Sequence, residues 1–150
     1  MRAAAETAAK FAAIDAHDDT VEGFVILPPT GRRKQATVEV RLLRHWQDKR
    51  RVIRFSNCAN IAVAMDIDVL ADNWPINAHS LTATADLTEI TALMRWQKRS
   101  WHVRYEKSID PLPAKLSAAR SYVLFRVRLF GGLLEIVAKS FSIKRLQNAS

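Results

Sequence analysis

The residues best placed to do chemistry in this chain are Arg95, Trp96, Lys98, Arg99, Trp101, His102 and Arg104, crowded into one short stretch that ends at Tyr105. Cations interleaved with flat rings can neutralise phosphate while the rings stack on unpaired bases, each stack contributing roughly 1–3 kcal/mol. The competing reading is that the tryptophans end an amphipathic segment and point into a core, with the Arg and Lys as its wet flank. His17-Asp18 invites comparison with metal-dependent phosphohydrolases. Such a site needs further histidines on neighbouring helices, whereas His45, His79 and His102 fall in expected loops or sheet. Asp18 suits a turn that satisfies backbone donors after a helix. Asp66 and Asp68, two apart on an expected strand, would point the same way and could meet a hard cation. Calcium takes about 6–8 oxygens, however, and no glycine-rich loop adjoins the pair. Cys58, the single cysteine, can form neither an internal disulfide nor a thiolate cage, and no neighbouring His or Lys lowers its pKa, so it reads as a small buried hydrophobe. There is no G-x-S-x-G, no Walker loop and no G-x-G-x-x-G. The sequence therefore assigns no catalytic residue, no metal site and no cofactor.

Charge narrows the class of partner. The chain has 23 Lys and Arg against 15 Asp and Glu, a net charge of +8. The bases concentrate in residues 23–54 and 95–150, while Phe55 to Met94 contains none. A basic face opposite an acidic one would attract nucleic acid, phosphorylated ligands or an acidic protein. Arg32-Arg33-Lys34 and Lys49-Arg50-Arg51, expected in loops, would add to the same field.

The elements that must position these groups follow from hydrophobic period. Residues 2–14, with seven alanines and a Glu6 to Lys10 spacing, form a helix that either docks through Phe11 and Ile14 or frays as a mobile arm. Thr20–Leu27 is a strand stopped by Pro28-Pro29. Thr37–Leu43 alternates Val38, Val40 and Leu42 with polar residues, and Arg51–Ser56 is its hairpin partner across a polar loop from His45 to Arg50. Ile61, Val63, Met65, Ile67 and Val69 alternate over a long strand that would bury all five on one face. Asp86 and Glu89 open a helix from about Leu87 to Arg99, although Leu81, Thr82 and Thr84 also suit strands. Trp101, Val103 and Tyr105 indicate an extended stretch, and a short helical turn fits Ala114–Ala119. Ser121–Phe130, a Gly131-Gly132 turn and Leu133–Ala138 form a hairpin, which Ser140–Leu146 continues.

The expected fold is α+β, a mainly antiparallel β-sheet, curved or a small sandwich, with an N-terminal helix and one further helix. The domain reading is an N-terminal helical arm over 1–19 and a single β-rich domain over 20–150, in keeping with a length of 150 residues. No apolar run approaches the ~18 residues that span a bilayer, and Glu6 and Lys10 interrupt the N-terminal alanines. The expectation is a cytoplasmic protein with no membrane partner.

His17-Asp18-x-x-Val21, Val38-x-Val40-x-Leu42 and Val52-x-x-Phe55-Ser56-Asn57-Cys58-x-Asn60-Ile61 together resemble a pattern in small bacterial β-rich proteins, some of the toxin-immunity type. The resemblance covers the first half of the chain. It implies a compact sheet domain that acts by binding, and it supplies no catalytic residues. Inhibitors of nucleic-acid-cutting toxins tend to be acidic, and this chain departs from that pattern by its positive charge. The leading expectation is a non-enzymatic protein-interaction domain whose partner is another protein, an acidic one where charge decides. The alternative is a basic nucleic-acid-binding module using the Arg/Trp-rich residues 95–105. A homodimer through an exposed strand edge is compatible with both.

Overall fold

A computed structural model describes residues 2–32, 35–66, 76–94 and 120–147. The expected α+β class holds. Helix α1 (Arg2–Ala12) precedes strands β1 (Thr20–Leu27), β2 (Ala36–Arg44) and β3 (Lys49–Met65). After β4 (Ala78–Thr84) the chain is helical over 87–94 (α2), and β5 (Val123–Leu129) and β6 (Gly132–Leu146) complete the sheet. The six strands lie in the order β1-β2-β3-β6-β5-β4, each pair antiparallel.

Strand β3 is the spine of this sheet. Its first half pairs with β2, and the whole strand pairs with β6, from Arg50↔Leu146 to Met65↔Gly132. The sequence pattern suggests two strands here because Ser56-Asn57 interrupts the apolar alternation. The structure has one strand with a bend. Asn57 takes a left-handed conformation (φ 56°), and the register shifts beside it against both neighbours. Asparagine tolerates that backbone better than most residues, so pairing continues through the bulge. On the far side Ile61 and Met65 pack half-buried against the core, but Val63 is 46% exposed. The expected burial of the whole 61–69 face is therefore not met at Val63, and Ile67, Asp68 and Val69 lie outside the described residues.

The bend curls the sheet into a cup. Its edge strands touch at one end through a Thr20↔Asn77 bridge, but the sheet does not close into a barrel. α1 lies in the concave side, adopting the docked alternative. Ala4, Ala8 and Phe11 form its buried stripe, at the spacing of one helical face. The alanines permit close approach, and Phe11 fills the cup, with ring centroids 5.7, 4.9 and 5.2 Å from those of Phe55, Phe125 and Phe141. Glu6 pairs with Arg2 at 3.0 Å rather than with Lys10. That surface pair contributes little.

α2 covers the convex side. Ile90 and Met94 bury against Tyr122, Leu124 and Val137. Its start is capped by Asp86, whose Oδ1 accepts from the Thr88 N–H at 2.9 Å, as the sequence signature suggests. Residues 95–99 of the expected helix lie outside the described residues, as do the extended stretch 101–105, the turn at 114–119 and Trp74.

The β5–β6 hairpin forms one residue earlier than a Gly131-Gly132 turn would place it. Leu129 pairs with Gly132, so the loop is Phe130-Gly131, with Gly131 at φ 92°. Gly132 instead opens β6, where a Cβ would stand 2.8 Å from the Ala64 carbonyl oxygen. Gly132→Ala is expected to cost about 1–3 kcal/mol, the range for overpacking a rigid backbone contact. A lowered urea midpoint checks it, whereas an unchanged midpoint would mean that the β3–β6 ladder yields freely.

Candidate basic cleft

At the rim of the cup, the end of β2, the start of β3 and the end of β6 meet. Arg44, Lys49, Arg50, Arg51 and Arg145 line a cleft of about 320 Å³ there, with Gln47, Asp48, Leu146 and Gln147. The expected loop at Lys49-Arg50-Arg51 is in fact the first turn of pleat in β3. It follows a short 3₁₀ turn over His45–Gln47 that Asp48 ends in a left-handed conformation (φ 47°). Charged residues occupy inward positions here because the inward face at a strand end reaches the rim rather than the core. The register Arg51↔Arg145 and Arg44↔Lys49 then brings the bases together.

A carboxylate behind the lining anchors two of these arginines. Asp19 is fully buried, and it accepts from Arg44 Nε at 2.9 Å and from the Arg51 guanidinium. Both arginines also donate to the Asp15 carbonyl, each at 2.8 Å. Arg50 reaches Glu22 on β1 at 3.3 Å. Lys49 and Arg145 make no ion pair among the described residues. Three cations are thus paired and partly neutralised, and the five bases set against Asp19, Glu22 and the lining Asp48 leave the rim a positive excess. Beside the cleft, the Arg44 guanidinium lies 5.3 Å from the centroid of the Trp46 ring, which is 52% exposed.

The remaining expected sites are distributed differently. Arg95, Trp96, Lys98, Arg99, Trp101, His102 and Arg104 lie outside the described residues, so the basic convergence that the structure displays is elsewhere. His17 meets His79 with ring centroids 5.8 Å apart, and its Nδ1 lies 2.9 Å from the His79 carbonyl oxygen. Nothing in the local sequence announces that pairing, which depends on β4 lying beside the α1–β1 connection. Among the described residues no group of three His, Cys, Asp or Glu side chains could hold a metal ion. On the α2 side, Arg126 is matched by Glu89 and Glu135, each at 2.9 Å.

Cys58 is buried, and its thiol donates to the Phe55 carbonyl at 3.2 Å. Burial pushes the thiol up from 9.0 to about 11, against a smaller opposing hydrogen bond at the Val38 backbone. Native protein should therefore react slowly with a disulfide reagent at neutral pH and rapidly once unfolded. The folded state binds this proton more tightly than the unfolded state. Its contribution to stability is full below about pH 9 and lost as pH rises towards 11. Urea midpoints across that interval, compared with those of Cys58→Ala, check the sign.

The molecule is thus an open, curled antiparallel sheet filled by one helix, with a basic cleft at its rim. Comparison with models of known families, with curated proteins and with solved structures finds no match.

Proposed function

We propose that this chain is a non-enzymatic interaction domain that docks an acidic surface of another protein in the rim cleft. The observation that carries this reading is the cleft itself: five basic side chains from three strands, two of them held on a buried carboxylate, with Leu146 and the nearby Trp46 supplying exposed apolar area. Interfaces favour Arg and aromatic anchors with a charged rim, and complementary charge speeds encounter and fixes orientation. The resemblance to small bacterial sheet proteins of the toxin-immunity type fits, since such proteins act by binding, and a cytoplasmic partner belongs to the same reading. No helix among the described residues is long and apolar enough to cross a membrane. A toxin met by this domain would have to present an acidic patch.

The exposed Trp46 ring favours a second reading, single-stranded nucleic acid, because a ring beside arginines can stack on a base. Fluorescence anisotropy with labelled oligoglutamate and with an oligo-dT strand separates the two. The acidic-protein reading expects oligoglutamate binding at low salt that weakens at least roughly tenfold at high salt, where the screening length shortens severalfold. It also expects a similar loss in Lys49→Glu/Arg145→Glu. Preference for oligo-dT installs the second reading, and binding indifferent to those reversals removes both.

A further inference from the structure

We infer that the acidic partner binds as an added β-strand along the outer edge of the C-terminal half of β6, residues 139–146; this rests on the function proposed above and specifies its geometry. Strand β6 pairs with β5 only as far as Ala138, while its pairing with β3 continues to Leu146. From Lys139 onward, no strand among the described residues takes the other edge. Every second N–H and C=O along that edge points away from β3, a ready template for an extended segment. The side chains are exposed throughout this stretch except for the half-buried Phe141.

Charge identifies the occupant. Ile143 and Arg145 share the face on which Phe141 meets the core, next to the rim cleft. Ser142, Lys144 and Leu146 share the opposite face, around a second hollow of about 200 Å³ that Val52 and the Arg54–Glu39 ion pair also line, so Lys144 is its unpaired cation among the described residues. A strand laid on this edge would meet basic side chains on both of its faces, so acidic residues along it are favoured and apolar ones can rest on Ile143 and Leu146. A second copy of the chain fits poorly, because its own edge would set Lys144 and Arg145 against the same cations. The chain's own residues 95–119 are basic in balance and match no better. Main-chain hydrogen bonds would supply affinity and the flanking cations specificity, as in other strand-addition complexes.

The test uses the full chain and two peptides long enough to span 139–146. One alternates Glu with Val. The other repeats Glu-Glu-Pro-Pro, carrying the same charge but, with prolines at both parities, lacking half the N–H groups that a ladder in either register needs. The Glu-Val peptide is expected to bind at least tenfold tighter, to slow amide hydrogen exchange within 139–146, and to lose tenfold or more in Lys144→Glu/Arg145→Glu. Circular dichroism verifies that this surface variant keeps its sheet. Equal binding of the two peptides, or protection appearing on β1 or β4 instead, overturns strand addition while leaving an acid-binding cleft. Binding of neither peptide at low salt overturns the functional reading as well.

Discussion

Asp19→Ala is expected to lower unfolding free energy by about 3–5 kcal/mol, the usual range for removing one partner of a buried ion pair. Asp19 has no exposed surface, and its carboxylate is shared by Arg44 and Arg51, whose side chains are each 18% exposed. The cost comes from what remains: two guanidinium groups, largely out of water, with only the exposed Asp15 carboxylate near Arg44 as a counter-charge. A domain of ordinary stability has roughly 5–15 kcal/mol in total, so the variant should sit near the edge of folding. Urea denaturation with an unchanged m-value would show the loss to be in stability rather than in the compactness of either state. Asp15→Ala supplies the contrast. Its carboxylate is 78% exposed and 3.7 Å from Arg44, and the arginines bind its main-chain carbonyl rather than its side chain. That variant should change stability by less than about 1 kcal/mol. Comparable losses in the two variants would show that the carboxylate of Asp19 has no special place.

The same residues mark how far the sequence carries. β1 is legible at its true limits, Thr20–Leu27, because β-branched and aromatic residues there end at two prolines that cannot continue a ladder. β2 is legible through period alone, and the second helix through its Asp86 start signal together with helical spacing. β3 is not, since the inward parity of Arg51, Ile53 and Phe55 breaks at Asn57 and a period-two pattern cannot see through a bulge. β4 is ambiguous because its threonines and alanines compete with the helical spacing that follows. The cleft is the larger gap. Lys49-Arg50-Arg51 stands out as a cationic run, but its meeting with Arg145 is made by strand register between segments far apart in sequence. Asp19 looks like one acid among several after a helix. Its burial follows from the return of β4 beside β1, where the Ala78 N–H donates to the Asp19 carbonyl at 2.8 Å. Such convergence has no local signature.

Phe11→Ala should be about as damaging, at about 3–5 kcal/mol, for a different reason. Phe11 is fully buried, and its ring abuts Phe55 of β3, Phe125 of β5 and Phe141 of β6, so truncation opens a void at the one point where helix and cup interlock. The other buried members of α1 are alanines, which cannot reach into that void. An isolated helix of 11 residues is marginal in water, so α1 depends on this anchor to stay formed. Hydrogen exchange should therefore show protection falling over 2–12 more steeply than over β3 and β6, and Phe11→Leu should recover much of the loss by refilling the space. A uniform loss across helix and sheet would mean that α1 unfolds only with the whole domain. The effect should also extend to the rim. α1 leads directly into the segment where the Asp15 carbonyl and the Asp19 carboxylate hold Arg44 and Arg51. Loosening the helix frees that segment, spreads the two arginines over more conformations, and raises the ordering cost of any acidic ligand. Weaker oligoglutamate binding in Phe11→Ala, with no change in the exposed control Val63→Ala, would show that the cleft depends on a ring buried inside the cup.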